Sequence, residues 1–297
     1  MKTDYLLEIF PEAVSSFVKS PSIHPRQPMH KAYPLHLACY NEHCPGTVIQ
    51  LLIKEDPALC KVKGKVRDDN NTHSIFAPAQ LPVHYYLSRN VNVDIGTVKV
   101  FDTKDQGPGY YPIHALLSNS NINHMQDILQ YLVNAEPLSL LETDQGRLPL
   151  NIACCNKAVN LSIVELLFNS IPERNRNLID GHNKHPIHEL SLNSKLDDDV
   201  SLEILRFMLD IDPTISQVRD TIKIPIHYAV GHGNKSLEFC KLLIDAYPES
   251  LKVEALFNGS LPIHEACGHG YRDDTVDTIQ YMLDLYPEGM EATDSEG

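Results

Sequence analysis

Positive charge is scarce in this sequence: 25 lysines and arginines stand against 39 aspartates and glutamates, a formal net charge of −14. A general nucleic-acid binder needs a basic footprint to displace counterions from phosphates, so that class is excluded. Long apolar runs are missing as well. No stretch approaches the roughly 20 apolar residues that cross a bilayer. Asp4 and Glu8 stand where a signal peptide needs its apolar centre. The expected location is therefore intracellular, in the cytoplasm. Paired cysteine spacing is absent too, because the seven cysteines are odd in number and show no disulfide framework. What remains is 42% hydrophobic and 22% charged residues, the composition of a folded, soluble chain.

One short pattern recurs along that chain. Pro34-Leu35-His36, Pro82-Val83-His84, Pro112-Ile113-His114, Pro149-Leu150-Asn151, Pro186-Ile187-His188, Pro225-Ile226-His227 and Pro262-Ile263-His264 are close copies, with successive spacings of 48, 30, 37, 37, 39 and 37 residues. A chain of 297 residues suggests about two domains. A repeat of this period overrides that expectation, since it marks an array whose units stack into one continuous core. A second proline follows each complete copy, at Pro57, Pro137, Pro172, Pro213, Pro248 and Pro287, and Pro11 matches them near the start. Each unit therefore reads as an anchor, a first helix, a loop, a second apolar helix, a proline stop and a link. The anchor proline suits a helix's first turn, where its missing N–H has no partner to lose. The second cannot continue a helix. Cys39, Cys154 and Cys267 each lie five residues after an anchor proline and read as small packing residues.

Pro34-Leu35-His36-Leu37-Ala38-Cys39 and Pro262-Ile263-His264-Glu265-Ala266-Cys267 resemble the Pro-Leu-His-x-Ala core of ankyrin repeats, and the likeness covers nearly the whole chain. The resemblance implies an all-α solenoid of helix pairs with finger-like links, in which the repeated histidine bridges neighbouring turns by hydrogen bonds. The expected layout is a single array over 1–297. It has a partial unit at 1–30, units starting near 31, 79, 109, 146, 183, 222 and 259, and a degenerate unit near 79–108 that lacks its second proline. Both ends fall within a repeat, as in a fragment of a longer array. Two features depart from the family. The period is nearer 37 than about 33 residues. The threonine usual before the proline is replaced by Tyr33, Leu81, Tyr111, Leu148, His185, Ile224 and Leu261, so apolar packing is expected to fix the turn instead.

Fifteen histidines invite a metal reading. Six belong to the anchors. The clusters His36, Cys39, His43, Cys44 and His264, Cys267, His269 lack the short paired spacing of zinc ligands. His264 and His269 are five residues apart rather than four, so they do not share a helix face. Gly231-His232-Gly233-Asn234-Lys235-Ser236 lacks the Gly-Lys-Ser/Thr ending of a phosphate loop and falls between helices. No catalytic constellation stands out. The sequence reading is thus no enzyme, no metal and no cofactor.

Binding is the remaining class. The resemblance implies that partner contacts lie on fingers and first helices of the concave face. Arg147, Lys184 and Lys223 sit two positions before successive anchors and would form a basic stripe, joined by Tyr110, Gln145 and His182. The competing possibility is internal pairing with Asp144, Asp180 and Asp220, which is worth little at a surface. A second candidate is the alternating run Lys61, Lys63, Lys65 and Arg67, which has the pattern of a finger extended into strands. The expected function is a monomeric scaffold or adaptor that binds another protein bearing an acidic segment, with no nucleic-acid or membrane partner. The alternative is the ankyrin part of a larger enzyme or signalling protein whose catalytic region lies outside this chain.

Overall fold

A proline at the start of a helix costs no hydrogen bond, and every anchor proline among the described residues opens one. The structure is a computed structural model that describes residues 18–19, 31–32, 34–41, 44–61, 64–65, 109–124, 126–144, 146–173, 179–269 and 272–295. The chain divides into two compact units, Met1–Gln145 and Gly146–Gly297.

In the first unit, α1 (Pro34–Tyr40) pairs with α2 (Gly46–Glu55), and α3 (Pro112–Leu117) with α4 (Gln126–Ala135). First helix packs on first helix, α1 on α3, and α2 contacts α4. The expected degenerate unit at 79–108 lies outside the described residues. Four two-residue strands form an antiparallel ladder beside these helices: β1 (Val18–Lys19), β2 (Lys31–Ala32), β3 (Gly64–Lys65) and β4 (Gly109–Tyr110). Its register places Lys31 opposite both Lys19 and Lys65, and Gly64 opposite Tyr110. The links thus add to one another by strand pairing.

In the second unit the pairs are α5 (Pro149–Cys155) with α6 (Leu161–Ser170), α7 (Pro186–Leu192) with α8 (Asp198–Ile211), α9 (Pro225–Val230) with α10 (Leu237–Ala246), and α11 (Pro262–His269) with α12 (Thr275–Leu285). First helices stack in the order α5, α7, α9, α11, and second helices in the order α6, α8, α10, α12. The second helices bury the apolar stripe that their spacing dictates. In α10 it is Phe239, Cys240, Leu243 and Ile244, and in α8 it is Ile204, Leu205 and Met208 with Ser201. Full burial of such a side chain contributes about 1.5–3 kcal/mol. That is how helices of 6 to 14 residues persist although such lengths are marginal alone. Cys39 and Cys154 are buried as expected, whereas Cys267 points outward and is exposed.

The second proline does more than stop a helix. The residue before it, at Asp56, Glu136, Asp212, Tyr247 and Tyr286, is held extended with φ between −150 and −141°, because the proline ring bars the helical region there. The proline itself then starts a 3₁₀ turn: Pro57–Lys61, Pro137–Leu141, Pro213–Gln217, Pro248–Lys252 and Pro287–Met290.

Candidate functional site

The anchor histidines have a structural task. At the third helical position, the Nδ1 of His114, His188 and His264 accepts the backbone N–H of Tyr111, His185 and Leu261, at 3.1, 3.0 and 2.9 Å. An imidazole therefore stands where a capping box places a glutamate. Apolar packing was expected to replace the missing threonine; Leu148, Ile224 and Leu261 are indeed buried, and the imidazole adds the polar half of the cap. With Nδ1 as acceptor, Nε2 carries the proton and donates to a carbonyl of the next link. The pairs are His114 to Glu142 at 2.9 Å, His188 to Val218 at 2.9 Å and His264 to Ala292 at 3.1 Å. His227 donates likewise to Ser260 at 3.1 Å. Burial pushes His227 and the neighbouring His185 down to about 4, and His188 also below its usual value. Asn151, the one described anchor without histidine, reaches Lys184 O at 3.0 Å and Asp180 at 3.1 Å through its side-chain amide.

The link acids do not pair with the lysines as internal neutralisation predicted. Asp180 is buried and accepts the N–H groups of His182 and Lys184, both at 2.9 Å. Asp220 does the same for Ile222 and Lys223, both at 2.7 Å. They are turn formers, and each satisfies donors that a tight link would otherwise orphan. The lysines turn instead to carboxylates on the first helices. Lys184 lies 3.5 Å from Glu189, and Lys223 contacts Glu265 at 2.5 Å. Between them stands Tyr228, with both ammonium groups within 5.8 Å of its ring centroid and its hydroxyl donating to Asp220 at 2.7 Å. Burial and that carboxylate push the phenol up. The Cys155 thiol donates to Glu189 at 3.0 Å and is pushed up to about 12 by burial and that acid.

Of the residues proposed from sequence, Lys184 and Lys223 join this row, while Arg147 and His182 are exposed. Tyr110 lies in β4, Lys65 in β3, and Lys61 is exposed at the end of a 3₁₀ turn. Gln145, Lys63 and Arg67 lie outside the described residues. Sequence reasoning missed Glu189, Tyr228 and Glu265. Part of their signal was available: three positions after the anchor, earlier units carry Leu37, Tyr85, Ala115 and Ile152, so Glu189 and Glu265 bring carboxylates to a position that is otherwise apolar or tyrosine.

A second polar group adjoins the row. His232 and His269 stack with ring centroids 4.3 Å apart and planes 30° apart, and both lie beside Glu265. They too occupy matching positions, seven after an anchor, where four of the five earlier units carry Asn41, Asn119, Asn156 and Asn193 and the unit anchored at Pro82 carries Arg89. Two of those asparagines bind backbone: Asn119 donates to Cys39 O at 3.0 Å and Asn193 to Cys154 O at 2.9 Å. The glycine-rich stretch that faintly suggested a phosphate loop carries His232. Its Lys235 is buried and spent on Asn193 O at 2.7 Å and Ser201 Oγ at 2.9 Å. Burial pushes that lysine down to about 8.

Among the link tips, Leu256 is 63% and Phe257 76% exposed, on a turn tied at its base by the N–H of Ala255 on Ser260 O at 2.9 Å. The neighbouring links hold it as well, through Leu256 N–H on Ile222 O at 3.1 Å and Ser295 N–H on Asn258 O at 2.9 Å. No described helix is long and apolar enough to cross a membrane. No protein-family model matches the chain, and a search of curated proteins returns no match.

Proposed function

We propose that this chain is an ankyrin-type array serving as a non-catalytic scaffold or adaptor, which binds a partner protein through link tips and first helices. The observation that carries this reading is the pair Leu256 and Phe257, two large apolar side chains held in solvent on a hydrogen-bonded turn. Large apolar side chains left in solvent on an ordered loop bury little surface in the free chain, and aromatic anchors buried at interfaces dominate binding energy. The pairing of Lys184 with Glu189 and of Lys223 with Glu265 weakens the case for an acidic partner segment. Withdrawing a lysine from either pair strands a buried carboxylate, which costs several kcal/mol. Arg147 remains the exposed cation of that stripe.

Absence of catalysis is part of the proposal. A nucleophilic cysteine needs a lowered pKa, whereas burial raises the thiols of Cys39, Cys44, Cys60, Cys154, Cys155 and Cys240.

The test is a quantitative pull-down from native cell extract at two salt concentrations. It compares the intact chain with Leu256→Ser/Phe257→Ser and with Arg147→Glu. A partner lost with the first variant at both salts, and retained by the second, is the expected result. Loss with Arg147→Glu alone, abolished by salt, moves recognition to the basic stripe. No partner enriched by the intact chain overturns the proposal.

A further inference from the structure

We infer that His232, Glu265 and His269 form a binding site for a borderline transition-metal dication, zinc(II) being the member that fits best. Each offers one ligand atom, and the three atoms lie within 4.8 Å of one another. Ligands about 2.0–2.1 Å from a tetrahedral zinc stand roughly 3.4 Å apart. His269 Nδ1 and Glu265 Oε2, 3.7 Å apart, need to close by only a few tenths of an ångström. Two imidazoles and one carboxylate are a donor set for zinc and its neighbours rather than for magnesium or calcium. Three protein ligands leave a fourth position to water, and exposed His232 puts the site within reach of solvent.

Two further observations point to a ligand. His269 Nδ1 and Glu265 Oε2 are both shielded from solvent, and neither has a hydrogen-bond partner. Buried polar atoms left unsatisfied are costly, and a cation between these two would satisfy both at once. The histidines also depart from the repeat, since the matching position carries asparagine in four of the five earlier units, twice seen bound to backbone, and Arg89 in the fifth. An ion pair between Glu265 and a protonated His269 accounts for neither the second stacked imidazole nor the departure at position 232.

The fold brings these three side chains together. Glu265 and His269 lie one turn apart on α11. His232 comes from the preceding unit, on a loop pressed close by its two flanking glycines. A Cβ on Gly231 would come within 3.1 Å of Glu265 Oε2, and one on Gly233 would overlap Ser191 O. Lys223 holds the other carboxylate oxygen. It leaves Oε2 as a single-atom ligand and lowers affinity by its charge. His114, His188, His227 and His264 each donate Nε2 to a carbonyl and do not compete for metal.

The experiment is titration of the metal-free full chain with Co²⁺, read by visible absorption, followed by displacement with Zn²⁺. Melting temperature is measured with and without metal. One equivalent should give a d–d band that Zn²⁺ removes, and zinc should raise the melting temperature, because the assembled site binds it more tightly than the unfolded chain does. His232→Ala should weaken binding by at least about tenfold, the loss that removing a mere supporting partner already causes. Exposed as it is, this residue should leave the metal-free melting temperature unchanged. His269→Ala is the second variant, and His232→Ala decides alone if His269→Ala lowers metal-free stability. No stoichiometric binding, or binding unchanged in His232→Ala, overturns the site.

Discussion

The anchor histidines show how one side chain serves two neighbours. A neutral imidazole has one acceptor and one donor, and in His114, His188 and His264 each is used: Nδ1 caps its own helix, Nε2 holds the next link. Burial of neutral imidazoles, His185 beside an anchor among them, has a cost in acid. With His185 and His227 at about 4 when folded and about 6.5 when unfolded, the unfolded chain binds more protons between those values. Stability is therefore complete above about pH 6.5 and is lost as pH falls toward 4, by up to about 3 kcal/mol for each residue. Urea midpoints measured from neutral pH down to this range should fall steadily; a flat profile would refute the assignment. His185→Leu tests the apportionment. Other units carry Leu148, Ile224 or Leu261 there, so the variant should fold and show roughly half the His185 and His227 contribution to the slope.

At the scale of elements, the helix pairs were legible because their signals are local: a proline at N1, an apolar stripe, a proline beyond the end. The 3₁₀ turns were not, since a second proline read only as a stop gives no hint that the chain winds on for another five residues from Pro213 to Gln217. The packing of α1 directly on α3 was not legible either, because Pro82-Val83-His84 has the same sequence form as the anchors on either side. Two glycines make the packing testable. Gly268 lies in α11, where an added Cβ would meet nothing within 4 Å, whereas a Cβ at Gly233 would sit against Tyr228 O and overlap Ser191 O. Gly268→Ala should therefore stabilise by about 0.5–1 kcal/mol through backbone entropy. Gly233→Ala should destabilise by more than about 2 kcal/mol, because both obstacles are backbone. Thermal melts of the two variants check this. Equal shifts would mean that the loop after α9 can retreat from α7.

Across the whole molecule, what could be read from sequence was each unit's own plan; what could not was the chemistry shared between successive units. Lys223 was placed in a stripe, but its partner Glu265 belongs to the next first helix. The grouping of His232 with His269 likewise exists only once α9 and α11 are stacked. Such stacking also sets how much chain is needed to fold. In an array each unit depends on its immediate neighbours, and at least about three consecutive units are needed for stability. Residues Gly146–Gly297 contain four helix pairs among the described residues. Their bridging bonds close among themselves: Asn193 to Cys154 O, His188 to Val218 O, Lys235 to Asn193 O, His227 to Ser260 O and His264 to Ala292 O. This segment should accordingly fold when expressed alone, with helical circular dichroism and one cooperative melting transition. A broad, non-cooperative melt would show that its core requires residues before Gly146. A sharp one would make it an autonomous piece carrying the polar row, the two stacked histidines and the Leu256–Phe257 tip together.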